Sequence, residues 1–218
     1  TIYNKCIRLE PGNKYFRFSQ INILYKLKEW KRTIDKTMEV LTTDSIPLLY
    51  SLAGDCYWQI EKNDSAVRYY KKTLALAPED YNTTFKLAKI YLQTQRYNEM
   101  ISCTNDYISI DSTNKTINQY NGIGYCFVQE FEKAIDRLSK LYNDGDKSFT
   151  TNYFLGASYF GLQDYYPAYE HLTEAYDVDS TNLNLLYYLG RSAILSGKFQ
   201  KGTAALQKGL EVMTPKDS

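Results

Sequence analysis

Gly54, Ala88, Gly122, Gly156 and Gly190 stand 34 residues apart, and a spacing kept through five copies without insertion leaves little choice of fold. Three residues after each comes Tyr57, Tyr91, Tyr125, Tyr159 and then Ala193. A second small-residue column, twelve positions after the first, reads Ala66, Met100, Ala134, Ala168 and Gly202. Tyr97, Phe131, Tyr165 and Phe199 form an aromatic column, with Asn63 as its exception. Leu87, Leu155 and Leu189 precede the glycine slot, and Tyr70, Leu138, Leu172 and Leu206 recur later in the same register. The copies span 47–80, 81–114, 115–148, 149–182 and 183–216.

Each copy reads as a helical hairpin. The small residue, the Tyr three further on and the Leu just before it share one helical face. A glycine inside a helix costs about 1 kcal/mol of propensity, so its recurrence points to a close approach of two helices. The second small column would be the facing notch on the partner helix. Polar turns at 61–64, 95–98, 129–132, 163–166 and 197–200 separate the two helices of a copy. Pro78, Asn114, Gly145 and Asn182 lie in the stretches between copies, where breaker and N-cap chemistry is required.

Composition agrees with a helical chain. Glycine (11) and proline (5) are scarce among 218 residues, which argues against collagen-like, disordered and many-turned β architectures. The 44% hydrophobic content suffices for a core. Lys plus Arg number 26 and Asp plus Glu 25, so there is no basic excess of the kind that binds nucleic acid. No run approaches the roughly 18 apolar residues of a membrane span.

The columns resemble the tetratricopeptide repeat, with its pattern W-x2-L-G-x2-Y, A-x3-F and a closing P. Tyr50, Ala53, Gly54, Tyr57, Ala66, Tyr70 and Pro78 fill its slots with conservative exchanges. Leu155, Gly156, Tyr159, Ala168 and Leu172 fit nearly as well, as do Leu186, Leu189 and Gly190. Asn121 in the leucine slot, Thr104 in the second-helix aromatic slot, and Tyr107 and Tyr142 at usually small or aliphatic positions depart from it. Upstream, 14–46 reads as a divergent copy, with Trp30 in the aromatic slot and Thr33 in the small slot, but Ile21 and Leu24 where Gly and Tyr are expected. Residues 1–13, with Tyr3, Cys6, Ile7 and Pro11, match only the second helix of a truncated copy. The resemblance implies an all-α, right-handed superhelical solenoid running through the chain as one domain.

Catalytic chemistry is not expected. His171 is the single histidine, and Cys6, Cys56, Cys103 and Cys126 form no CxxC pair. Cys103 and His171 share a column two repeats apart, roughly 20 Å in packed helices. Gly122-Ile123-Gly124 lies inside a predicted helix, so it is no dinucleotide fingerprint. Asp177 and Asp179 resemble the start of a calcium loop, but the central glycine is missing and Tyr188 replaces the bidentate Glu. The reading is a non-enzymatic protein without cofactor or metal. Unpaired thiols lean toward a reducing, cytoplasmic setting; the chain begins at Thr1, so export stays open.

In the family the first helices line a concave surface. The resemblance therefore implies a groove presenting Tyr15, Phe18, Asn22, Tyr25, Trp58, Phe85, Lys89, Phe127, Tyr153, Phe160, Tyr187 and Arg191. Tyr and Trp dominate binding hot spots. Two readings stand side by side: these aromatics hold a peptide, or they pack against neighbouring helices. The carboxylate clamp for chaperone tails is effectively absent, since only Asn22 and Lys86 match it in type. The expected function is a scaffold binding a protein or peptide in this groove, with neither nucleic acid nor a membrane span involved. The alternative is a regulatory or sensor segment of a longer chain whose output domain lies elsewhere. Uncapped ends, with Tyr3, Cys6 and Ile7 at one and Leu206 and Leu210 at the other, are expected to be exposed and to self-associate.

Overall fold

The computed structural model describes residues 2–10 and 13–214. The expectations for Pro11 and for the side chains of Tyr3 and Ile7 fall outside what is described. Among the described residues there are thirteen helices and no strand. The short α1 (Ile2–Leu9) precedes α2 (Lys14–Lys26) and α3 (Trp30–Leu41). Pairs then follow in the 34-residue register: α4 (Pro47–Gln59) with α5 (Asn63–Leu76), α6 (Tyr81–Gln93) with α7 (Tyr97–Ile108), and α8 (Lys115–Phe127) with α9 (Phe131–Asn143). The last pairs are α10 (Phe149–Gly161) with α11 (Tyr165–Val178) and α12 (Leu183–Leu195) with α13 (Phe199–Met213). The chain forms two compact units, Thr1–Ile90 and Tyr91–Ser218.

Helix starts follow local chemistry. The side chains of Asn13, Asn114, Ser148 and Asn182 accept from the N–H groups of Tyr15, Ile117, Thr151 and Leu185, satisfying donors that the first turn leaves orphaned. Pro47 opens α4, where its missing N–H costs nothing. The ends of the first helices are less obvious. Lys28, Glu61, Gln95, Gln129 and Gln163 take left-handed φ angles of 57–64°, and only the last turn uses a glycine, Gly197 at 82°. The next residue's N–H reaches back to the carbonyl at the Tyr column: Lys62 to Tyr57, Glu130 to Tyr125 and Asp164 to Tyr159, each 2.9 Å. This C-terminal hydrogen bond offsets the cost of the left-handed residue, about 1–2 kcal/mol without glycine.

The small column sets the distance between paired helices. A Cβ placed on Gly54 would sit 2.5 Å from the ring of Tyr70, and one on Gly156 2.5 Å from Cγ of Leu172. The facing notch is real as well: that Gly156 Cβ would lie 3.1 Å from the Ala168 carbonyl oxygen. Tyr70, Leu138, Leu155 and Leu172 are buried where these faces meet. In the divergent copy Ile21 and Leu24 are buried as larger side chains, Ile21 packing with Val40 and Leu49. At the far end Leu206 is half-buried against Gly190, contrary to the expectation of an exposed face, while Leu210 is exposed. Leu206 occupies the column that packs on the glycine, so its own hairpin covers it.

Two departures from the family pattern turn out to be one substitution of chemistry. Asn121 donates to Thr104 Oγ1 at 2.9 Å and to Asn105 Oδ1 at 3.0 Å, and Asn105 donates to the Tyr125 hydroxyl. A hydrogen-bonded polar pair thus replaces an apolar one, in a site where both Asn121 and Thr104 are fully buried. His171 is similarly absorbed. Its ring stacks on Tyr159 at 5.7 Å, meets Tyr142 edge-on at 4.8 Å, and its Nδ1 lies 3.1 Å from Asn152 Oδ1. Burial favours the neutral ring and lowers its pKa, Lys147 acting in the same sense and Glu174 and Glu170 against it.

Two outcomes are expected. Gly156→Val overpacks the α10–α11 contact and should lower unfolding free energy by about 1–3 kcal/mol in denaturant titrations. His171 contributes stability that is complete above its ordinary pKa of 6.5 and is lost as the pH falls below it. The difference in melting temperature between pH 7.5 and 5 should therefore shrink in His171→Gln.

Candidate functional site

In the first unit, first-helix residues and Tyr70 of α5 gather around a carboxylate. Tyr70 donates to Asp55 Oδ1 at 2.6 Å, Tyr25 reaches Oδ2 at 3.4 Å, and the Lys86 ammonium lies 2.7 Å from Oδ1. Burial, followed by the nearby Asp55 charge, pushes the Tyr70 phenol well above its ordinary range. Lys86, one of the two residues that matched the clamp, is therefore committed to an internal ion pair. Lys89 lies over Trp58 and Phe85, 5.4 and 5.6 Å from the ring centroids, so these three form one platform. Tyr25 meets Trp30 edge-on, and Phe18 packs on the core of Ile21, Val40 and Leu49. Phe18 follows the packing alternative. Tyr15 and Asn22 are exposed, and Tyr15 meets the edge of Phe16.

In the second unit, α8, α10 and α12 frame a cavity of about 560 Å³, within the usual range for ligand sites. Its walls are aromatic. Phe127 stacks on Tyr97 at 4.4 Å and meets Phe154 edge-on at 5.6 Å. Tyr188 stands 5.2 Å from Phe160 and 6.3 Å from Tyr153. Phe131 enters because Gly161 has no side chain; a Cβ there would collide with its ring. Gln129, Asn182 and Asn184 supply the polar part of the lining, and the Asn184 side chain is exposed. Arg191 lies over Phe160 and Tyr187, at 5.1 and 5.4 Å, and donates to the Tyr187 hydroxyl at 2.6 Å.

The sequence-derived residues Phe127, Tyr153 and Phe160 thus share one cavity, with Arg191 beside it, while Tyr187 is half exposed outside it. Tyr153 and Phe160 also pack against the core around Leu185 and Leu189, so both sequence readings apply to them. Burial pushes the Tyr153 phenol up to about 12. Phe131, Phe154 and Tyr188 are not among the groove residues expected from sequence, Phe131 being read there as part of the aromatic column. Phe154 and Tyr188 each follow a residue assigned to the groove: Tyr153 and Phe154 both line the cavity, whereas Tyr188 lines it and Tyr187 does not.

Burial disfavours the thiolate at two of the cysteines. Burial holds the Cys56 thiol at about 12 and also raises that of Cys126, which lines the cavity. Among the described residues, no group of three or more His, Cys, Asp or Glu side chains could hold a metal ion. No described helix is long and apolar enough to cross a membrane.

Comparison with known proteins agrees with this architecture. The tetratricopeptide-repeat family model matches residues 48–80 and 83–114, and the model for anaphase-promoting complex, cyclosome, subunit 3 matches 128–209. A tetratricopeptide repeat protein 21 homologue of Caenorhabditis elegans is 25% identical over 101 residues, 44% of this chain and 8% of that protein. The Caenorhabditis briggsae homologue matches to the same extent. The chain thus spans a small part of the length of these curated relatives. Among solved structures, MamA is 22% identical with a TM-score of 0.68, covering 76% of this chain and 91% of that one. MamA from Desulfovibrio magneticus RS-1 is 15% identical with a TM-score of 0.70, covering 79% and 97%. YrrB, described as a TPR protein with an unusual peptide-binding site, is 16% identical with a TM-score of 0.73, covering 85% and 96%. These likenesses share an all-α helical-repeat solenoid. With its 34-residue hairpins, its glycine contacts and these family matches, the chain is a tetratricopeptide-repeat protein.

Proposed function

We propose that the protein is a non-enzymatic interaction scaffold, and that the first-helix face of α8, α10 and α12 holds an extended segment of another protein. The observation carrying this reading is the aromatic cavity of about 560 Å³. Large, rigid rings give contact area at little rotamer cost, and the amides on its rim suit the backbone groups of an extended chain. The peptide-binding site described for YrrB lends support at the level of fold. The curated relatives, of which the match covers only 8%, favour a further element: the scaffold would be a segment of a longer chain with its output elsewhere.

Panning a peptide display library against the protein tests this. Binders are expected, and Phe127→Ala, at a residue 44% exposed, should weaken them about tenfold while the helical circular dichroism spectrum is unchanged. Binders indifferent to Phe127→Ala and to Tyr188→Ala would contradict the reading.

A further inference from the structure

Acidic residues avoid the first helices. In α2, α4, α6, α8, α10 and α12 the single Asp or Glu is Asp55, and it is bound to Lys86. By contrast, each of α3, α5, α7, α9, α11 and α13 carries at least one. The three helices framing the aromatic cavity hold no acidic side chain and two cations, Lys115 and Arg191. Lys115 donates to the Asp144 carbonyl at 3.2 Å, at the start of α8. Glu130, which lies in sequence between the lining residues Gln129 and Phe131, is paired with Lys133 at 2.5 Å.

Arg191 is placed differently. Its guanidinium lies over the aromatic wall at Phe160, and among the described residues no carboxylate lies within ion-pair distance of it. One N–H is used by the Tyr187 hydroxyl. A guanidinium has five donors in a planar fork shaped for a carboxylate, and here most of that fork is unspent. The rings of Phe160 and Tyr187 beneath it and the hydrogen bond to Tyr187 restrict its motion, which reduces the entropy lost when a carboxylate binds.

We infer that the cavity selects an acidic–aromatic peptide: an apolar or aromatic side chain seated among Phe127, Phe160 and Tyr188, with an internal Asp or Glu beside it on Arg191. The inference rests on the proposed binding face and adds its ligand chemistry. An extended chain advances about 3.3 Å per residue, and Arg191 lies 5.1 Å from the Phe160 ring, so the acidic residue falls within two positions of the anchor. A single guanidinium matches one side-chain carboxylate; a chain terminus with a second carboxylate would leave one charge uncompensated. Charge complementarity of this kind sets specificity and association rate as much as affinity.

The test uses the same library, displayed with blocked C-termini, on the full chain. Asp or Glu should be enriched within two positions of an aromatic or aliphatic residue. Replacing that acid by its amide in a synthetic peptide should weaken binding about fivefold or more, and added salt should narrow the difference. Arg191→Glu should abolish the preference and favour Lys or Arg at the same position. Binders lost on Phe127→Ala but blind to Arg191→Glu would overturn the inference while leaving the binding face standing. A preference seen only with a free C-terminal carboxylate would overturn it too. A library yielding no binder at all would overturn both.

Discussion

The contact between a small residue on one helix and a large apolar residue on its partner is the constraint from which the rest of this molecule follows. At Gly156 the partner Leu172 comes so close that no side chain fits between them. The same holds for Gly54 against Tyr70 and Gly190 against Leu206. Close packing at this density is intolerant of added volume, so the column admits little beyond Gly and Ala. Because the small residue fills so little of the first helix's inner face, the margin of that face, three residues before it and four or five after it, is released from the pair's core. That margin carries Trp58 and Phe85 in one unit and Phe127, Tyr153 and Phe160 in the other.

What the first-helix face does differs between the two units. In the first it closes on itself: Asp55 is surrounded by Tyr25, Tyr70 and Lys86, and a half-buried carboxylate so surrounded is a structural clasp. In the second the rings stand apart and leave space, with one guanidinium resting on the wall. The first-helix face is therefore closed in one unit and open in the other. Residue chemistry decides it: a carboxylate draws hydroxyls and ammonium inward, whereas aromatic edges without an acidic neighbour have nothing to close upon.

Periodicity made much of this readable in advance. The glycine column, the second small column and the leucines that meet between them were all legible, because each must recur wherever two helices touch. The left-handed residues were not, since Glu61, Gln95, Gln129 and Gln163 give no sign of their conformation. Their backbone is held by the hydrogen bond that follows, a main-chain feature of the helix end and no property of the side chain. Asn121 and Thr104 were legible as departures but not as partners, because hydrogen bonding between two columns has no signature in either column alone. At the cavity, Phe127, Tyr153 and Phe160 came from the repeat register, whereas Phe131 depended on the bare Gly161 beneath it. A missing side chain in one helix is poor notice of a ring arriving from another.

The central claim is that the first-helix face, and in the second unit the face of α8, α10 and α12, is where a partner lies. A structure of the protein bound to a selected peptide measures this most directly. The account predicts an extended chain along those helices, with one apolar side chain between Phe127 and Tyr188 and a carboxylate on Arg191. A peptide lying instead on the second-helix face, against α9, α11 and α13, with the cavity side chains unmoved, would contradict it.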